Sequence, residues 1–268
     1  MNGSTKLARW LVAELVDRGV RHVVIAPGSR NAPLSLALVA RDDVEVHTRI
    51  DERSAGFLAL GIAKTSHDPV AVVTTSGTAA ANLHPAVLEA AHAGLTLVPV
   101  TADRPASLRG TGANQTTDQV QLFGSAASFA DLDEPDDEAL SAAWLDGGPI
   151  HLNVQFAEPL LPDPDTDEPI RDSPRRSRPF SGERTPETSR TIPVGARTVV
   201  VAGDDSGKRA RQLAEAGGWP LLAEPTSGSR NGANVIRSYR LLLGTDLGER
   251  IERVVVFGHP TLSRPVSR

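Results

Sequence analysis

Residues 50–57 read Ile-Asp-Glu-Arg-Ser-Ala-Gly-Phe, and their acidic pair, Asp51 and Glu52, stands between a predicted strand and a predicted helix. Residues 26–34 (Ala-Pro-Gly-Ser-Arg-Asn-Ala-Pro-Leu) and 75–82 (Thr-Ser-Gly-Thr-Ala-Ala-Ala-Asn) have the same setting, after a Val/Ile-rich run and before an Ala/Leu-rich one. Three successive β-loop-α units place these segments side by side at one edge of a parallel sheet, where open α/β sheets bind ligands. Glu52 is therefore a candidate acid or base.

The surrounding pattern continues this alternation of strands and helices, which predicts an α/β fold with a doubly wound parallel sheet. The predicted helices cover residues 5–18, 32–40, 52–65, 78–93 and 136–145. The predicted strands cover residues 21–26, 44–50, 70–75, 96–101, 128–132 and 150–154.

Composition predicts two domains with a linker between them. Residues 1–160 form the first, and residues 161–193 are a linker, since eight prolines occur between 157 and 193. Residues 194–268 show a second α/β pattern of three strands and two helices (strands 197–202, 220–223 and 253–257; helices 207–216 and 235–243). Such a domain is incomplete, so we expect an N-terminal portion of something longer; the alternative is a complete protein with a small second domain.

Charge and cysteine content narrow the function classes. A net charge of −5 argues against nucleic acid as a partner, and no apolar run approaches a membrane span. The first 20 residues hold several charges and no signal peptide, so we expect a cytoplasmic protein. The chain has no cysteine, and its seven histidines show no zinc-ligand spacing, so no metal ligand is predicted.

Cationic loops suggest small anionic substrates. Arg30, Arg104 and Arg109 all follow predicted strands in an acidic chain, although scattered surface arginines would look the same. Residues 27–30 could cradle an anion or merely turn the chain into a helix. Residues 112–116 offer amide donors for carboxylates, or form a polar loop without function. Glu52 also has an ordinary structural explanation, since a first-turn glutamate beside the N-cap Asp51 interacts well with the helix dipole.

Five motifs taken in order resemble one family: the thiamine-diphosphate-dependent 2-succinyl-5-enolpyruvyl-6-hydroxy-3-cyclohexene-1-carboxylate synthases of menaquinone biosynthesis. The motifs are those at residues 26–34, 47–57, 75–82, 101–105 and 112–116. The resemblance is specific over about residues 5–160 and weaker in the later strands.

The resemblance implies a pyrimidine-binding first domain, a partial, Rossmann-like central domain, and an absent third domain that holds Mg²⁺ (or Mn²⁺) and the cofactor diphosphate. It implies decarboxylation of 2-oxoglutarate and addition of the succinyl unit to isochorismate, in a homodimer or a dimer of dimers. Glu52 would bind and activate the aminopyrimidine of thiamine diphosphate. The other implied cofactor contacts are Pro27, Thr78 and Asn82. The implied substrate contacts are Ser29, Arg30, Arg104, Asn114 and Gln115.

Two alternatives stay open. One is a thiamine-diphosphate enzyme of the acetolactate-synthase type, which shares the fold and the glutamate but not the acceptor substrate. The other is a non-catalytic half-enzyme that acts as a binding or regulatory module. Because the metal and diphosphate site is expected elsewhere, we expect these 268 residues alone to be inactive.

Overall fold

The structure is a computed structural model that describes residues 1–144, 148–162 and 191–267. The chain divides into two compact units, Met1–Arg184 and Thr185–Arg268. The domain boundaries at 160 and 194 stay predictions, because most of the predicted linker lies outside the described residues. None of the helices in the described part of the chain is both long enough and apolar enough to cross a membrane.

The first unit is a parallel six-stranded sheet in the described residues, with strand order β2-β1-β3-β4-β6-β5. Its strands are β1 (His22–Ile25), β2 (Glu45–Thr48), β3 (Val70–Thr74), β4 (Leu97–Asp103), β5 (Ser128–Leu132) and β6 (Ile150–Gln155). Its helices are α1 (Gly3–Asp17), α2 (Ala32–Val39), α3 (Glu52–Ser66), α4 (Thr78–Ala81), α5 (His84–Ala93) and α6 (Asp137–Ala143). The predicted doubly wound α/β fold is confirmed.

Helices cover both faces of this sheet. Successive residues of β1 point to opposite sides, so that Val23 belongs to one apolar core and Val24 to the other. The first core lies under α1, α2 and α6, and the second under α3 and α5. Burial on both faces explains why the central strands read as continuous apolar runs.

The second helical layer is built close to the sheet by small side chains. Helix α3 buries Ala55, Ala59 and Ala63. A Cβ atom at Gly56 would lie 3.0 Å from the Cβ of Ala86, so the backbones of α3 and α5 lie close together at this point. This contact holds the start of α3 beside the segment that joins α4 to α5.

Several predicted boundaries in this unit are wrong, among them the end of β2, which is at Thr48 and not at residue 50. The single helix predicted over residues 78–93 is interrupted between α4 and α5, because Pro85 has no N–H to continue the helical hydrogen bonds. Strand β4 runs to Asp103 and not to residue 101, because its last residues pair with β6, where Asp103 lies opposite Gln155.

The second unit contains a three-stranded parallel sheet in the described residues, with order β8-β7-β9. Its strands are β7 (Thr198–Ala202), β8 (Leu221–Ala223) and β9 (Arg253–Phe257), and its helices are α7 (Gly207–Gly217), α8 (Tyr239–Leu242), α9 (Asp246–Glu249) and α10 (Arg264–Ser267). The helix predicted over residues 235–243 is wrong for its first half. Ile236 donates its N–H to the carbonyl of Leu221 at 2.9 Å, which holds that segment extended along β8.

Candidate functional site

The carboxyl ends of the central strands bring the predicted loops together. Ile25, the last residue of β1, is aligned with Thr48 of β2 and with Val73 of β3, and all three strands run in parallel. The loops that follow them therefore leave the same edge of the sheet. Because β2 and β3 lie on opposite sides of β1, this is also the point where the strand order reverses, which is the usual ligand site of such sheets.

Glu52 is the first residue of α3 at this edge, and the residue is half-buried. Asp51 caps the helix by accepting the N–H of Ser54 at 3.1 Å. The side-chain hydrogen bond from Arg53, followed by that backbone bond, lowers the pKa of Asp51 to about 2. Arg53 therefore forms its ion pair with Asp51. Within the described residues, no hydrogen bond or ion pair reaches the Glu52 carboxylate.

The loop after β1 packs directly against the residue that follows β3. A Cβ atom at Gly28 would lie 2.5 Å from the Cβ of Thr75, so the backbones can approach this closely only with glycine at 28. Asn31 is fully buried and donates to the carbonyl of Ala26 at 3.0 Å, which closes the turn. Pro27 and Ser29 are left on the exposed side of the loop.

The loop after β3 is held by a second polar loop, residues 112–119. Gly77 has φ +77°, and its N–H donates to the Oε1 atom of Gln119 at 2.9 Å. The Ser76 hydroxyl donates to the carbonyl of Gln115 at 2.8 Å. A Cβ atom at Gly77 would meet that same carbonyl at 3.0 Å, so the two loops are in backbone contact.

Two predicted substrate-binding arginines lie close together at this edge. Arg104 donates to the Ser76 hydroxyl at 2.8 Å and to the carbonyl of Gln115 at 2.9 Å. Arg30 donates to the carbonyl of Phe156 at 2.9 Å, and its side chain is 14% exposed. Burial, and then the positive charge of Arg104, lower the pKa of Arg30. The negative charges of Glu158, 3.9 Å from Arg30, and of Asp103 act in the opposite direction and partly offset this shift.

A cleft of about 520 Å³ opens beside Arg104. It is lined by both signs of charge and by the backbone of the glycine-rich loop: Asp103, Arg104, Leu108, Arg109, Gly110, Gly112, Thr116, Thr117 and Asp118. Two arginines, Arg104 and Arg109, face two aspartates, Asp103 and Asp118, so the cleft offers partners for either sign of charge.

A buried polar network beneath this edge went unpredicted. Asn153 on β6 donates to Asp103 at 3.1 Å and to Asp131 at 2.9 Å, and it accepts a hydrogen bond from Gln119 at 2.9 Å. Burial opposes the ionisation of Asp131, but hydrogen bonds from Arg109 and Asn153 outweigh it and lower the pKa of that carboxyl. The signal was present in the sequence, because polar residues alternate with apolar ones along β6.

The network matters because it connects the loops to the sheet. Gln119 joins Asn153 on one side and Gly77 on the other. Arg109 binds Asp131 at 2.8 Å and Asp103 at 3.4 Å. The polar loops around Arg104 are thereby fixed from below by fully or largely buried side chains.

The remaining predicted residues are near the edge in sequence, but no side-chain hydrogen bond joins them to the others within the described residues. Thr78 is exposed at the start of α4, and Asn82 is half-buried between α4 and α5, next to the Leu83 that faces Gly56 of α3. Asn114 is exposed in the 112–119 loop. Their roles stay predictions.

Comparison with known proteins identifies relatives of this chain. Residues 5–122 match the thiamine pyrophosphate enzyme family, N-terminal TPP binding domain. Three relatives carry the name 2-succinyl-5-enolpyruvyl-6-hydroxy-3-cyclohexene-1-carboxylate synthase. The protein from a Nocardioides species is 57% identical (99% of this chain, 48% of the relative), and that from an Arthrobacter species is 51% identical (97% and 47%). The protein from Kineococcus radiotolerans is 48% identical (100% and 53%).

The chain thus spans about half the length of the curated relatives that it matches. The match nevertheless extends over almost every residue of this chain and includes the β1, β3 and β4 loops described above. By its sequence, the chain belongs to the family of 2-succinyl-5-enolpyruvyl-6-hydroxy-3-cyclohexene-1-carboxylate synthases.

Proposed function

We propose that this chain supplies the pyrimidine-binding side of a thiamine-diphosphate-dependent synthase that joins a succinyl unit from 2-oxoglutarate to isochorismate. The observation that carries the proposal is the Glu52 carboxylate, which stands without a hydrogen-bond partner among the described residues at the switch point of the sheet. Because the relatives are about twice as long, the proposal concerns the full-length protein.

The residues present fit the aminopyrimidine of thiamine diphosphate. A half-buried carboxylate at the start of a helix can hydrogen-bond a ring nitrogen, and the close loop packing at Gly28 and Gly77 keeps that edge narrow. When bound, the cofactor supplies the electron sink for decarboxylation and carbon–carbon bond formation. Glu52 holds a proton at the pyrimidine nitrogen, while Pro27, Thr78 and Asn82 position the ring.

Arg30 and Arg104 bind the carboxylates of the substrates. Both 2-oxoglutarate and isochorismate are dicarboxylates, and arginine binds carboxylates through two parallel hydrogen bonds. Arg30 and Arg104 are already anchored to backbone carbonyls, so they are held in place before a substrate arrives. Ser29, Asn114 and Gln115 add hydroxyl and amide groups on the same side.

The proposal also includes Mg²⁺ bound with the cofactor diphosphate by residues other than those described, and a homodimer or dimer of dimers acting in the cytoplasm. Two apolar side chains that flank Glu52 support an active site that a second chain covers. Ile50 is 81% exposed and Phe57 is 47% exposed.

The test is Glu52→Gln in the full-length protein. We expect turnover of 2-oxoglutarate with isochorismate to fall by about 10²–10⁴-fold, the usual loss for an acid–base group. Glu138→Gln is the matched control, because Glu138 is also a first-turn glutamate, in α6, but lies exposed and away from the candidate site. Steady-state rates within about threefold of wild type for Glu52→Gln would refute the assignment.

The choice of substrates also separates the alternatives. Turnover of pyruvate alone, without use of isochorismate, would favour an enzyme of the acetolactate-synthase type. Binding of thiamine diphosphate without turnover of either substrate would favour a non-catalytic module.

Arg30→Lys tests carboxylate recognition. An ammonium cannot make the two parallel hydrogen bonds of a guanidinium, so we expect kcat/KM for one of the two substrates to fall by about 10–100-fold. Arg41→Lys is the control, because Arg41 makes a two-pronged ion pair with Asp43 just before β2, at the opposite end of the strands. Unchanged kcat/KM for both substrates in Arg30→Lys would contradict a substrate role.

A further inference from the structure

Strand pairing brings two histidines and a glutamate together at the edge of the first sheet. His22 begins β1, and it lies directly opposite Glu45, the first residue of β2. His47 is two residues further along β2 and therefore points to the same face as Glu45. The two rings stack with centroids 5.6 Å apart.

The potential ligand atoms of the three side chains all lie within 4.8 Å of one another, close enough to share one metal ion. The Nδ1 atom of His22 lies 3.4 Å from the Nε2 atom of His47. The Oε2 atom of Glu45 lies 3.4 Å from the first of these nitrogens, and its Oε1 atom lies 3.7 Å from the second. With Zn–N and Zn–O bonds of 2.0–2.2 Å, ligands at the corners of a tetrahedron are about 3.3–3.6 Å apart, so the three side chains need only a small adjustment to bind one ion.

The surroundings suit an ion that keeps one solvent ligand. The side chains of His22 and His47 are 29% and 24% exposed, so surrounding protein atoms cover most of each ring. The side chain of Glu45 is 65% exposed and faces water. Two imidazoles and one carboxylate are a common ligand set for Zn²⁺, with water in the fourth position.

We propose that His22, Glu45 and His47 bind a divalent transition-metal ion, Zn²⁺ foremost, at the edge of the first sheet. The site is separate from the candidate active site. His22 is at the amino end of β1 and Pro27 follows its carboxyl end, about 16 Å away at the rise of a β-strand. Within the part of the chain that the structure describes, β2 is an edge strand of four residues that pairs with β1 alone, so the ion would fasten β2 to the sheet.

Zinc titration into the metal-free protein tests the proposal. The protein is stripped with a chelator, and ZnCl₂ alone is added in a calorimeter. We expect one ion per chain at this site and a rise of the unfolding temperature, because an ion that binds only the folded state stabilises it. Co²⁺ in place of Zn²⁺ should give the intense visible absorption of a tetrahedral site.

Matched variants assign the ligands. His47→Ala should weaken zinc binding by at least about 10–100-fold, since even outer-sphere changes have that effect, and should abolish the rise in unfolding temperature. His92→Ala, at an exposed histidine in the last turn of α5, should leave both unchanged. Glu45→Gln keeps the shape of the side chain and serves if His47→Ala does not fold. Absence of zinc binding, or equal binding by wild type and both ligand variants, would show an ordinary His–Glu ion pair and overturn the proposal.

Discussion

At the scale of single residues, His151 shows how the buried network sets a protonation state. Its Nε2 atom lies 2.8 Å from the hydroxyl of Thr101, and that hydroxyl donates its proton to Asn153 at 3.0 Å. Nε2 must therefore carry the ring proton and donate it. The Nδ1 atom is buried without a hydrogen-bond partner in the described residues, and the ring packs between Phe123 and Phe129. Burial lowers the pKa of His151 from 6.5 to about 4.

This depressed pKa predicts an acid-sensitive fold. Between pH 6.5 and pH 4 the unfolded chain takes up a proton at His151 and the folded chain does not. The free energy of unfolding should therefore fall by about 3 kcal/mol as the pH falls through this window, with no further loss from this group below it. Urea unfolding at a series of pH values measures the effect.

The neutral variant His151→Gln isolates this contribution. An amide keeps a donor for Thr101 but takes up no proton, so the pH dependence between 6.5 and 4 should become shallower. His92→Gln, at an exposed position, should keep the wild-type slope. Equal slopes for all three proteins would mean that His151 does not link folding to pH.

At the scale of elements, the candidate site depends on how closely the loops after β1 and β3 approach each other. Gly28 permits contact with Thr75, and Gly77 permits contact with the 112–119 loop. The helix break before Pro85 lies at the same edge, because the segment between α4 and α5 contacts the first turns of α3 through Leu83 and Gly56. Two glycines and a proline thus determine where the backbone can come together.

Gly28→Ala should destabilise the protein by about 1–3 kcal/mol, the usual cost of overpacking, because the new methyl group would overlap Thr75. Gly61→Ala is the control, since Gly61 is exposed within α3 and a Cβ there meets nothing within 4 Å. That change should stabilise the protein by about 0.5–1 kcal/mol through helix propensity. Chemical denaturation compares the two, and a stabilised Gly28→Ala protein would contradict the close approach.

At the scale of the whole molecule, the first unit has what it needs to fold by itself. Its sheet is covered on both faces, and its two apolar cores draw on helices from its beginning to its end. Helix α1 is an integral part of it and buries apolar residues along its length, among them Leu7, Leu11 and Leu15.

Residues 1–162 expressed alone should therefore unfold in one cooperative transition. Residues 19–162, which lack α1, should lose this cooperativity because one face of the sheet is uncovered. Circular dichroism in urea measures both. A non-cooperative transition for residues 1–162 would show that the first unit needs the rest of the chain.

Local patterns determined most of the fold. The alternation of Val/Ile-rich runs with Ala/Leu-rich ones correctly predicted every strand of the first unit, and it placed Glu52 at the start of a helix. Since β-loop-α units leave their loops on one edge of a parallel sheet, the placement of the loops that carry Glu52, Ser76 and Arg104 at one edge followed as well. Such signals lie within a few residues of one another, so they can be read without the rest of the chain.

Tertiary structure decided what depends on strand order and register. The contact of Arg30 with Phe156, the network around Asn153, and the cluster of His22, Glu45 and His47 all join residues from different strands. The alternation along β6 marks Asn153 as a polar position, but no spacing along the chain identifies its partners or those of Arg30, and the histidine spacing argued against a metal site. Their positions follow from the order β2-β1-β3-β4-β6-β5, which is set by how the helices pack over both faces and not by any local stretch of sequence.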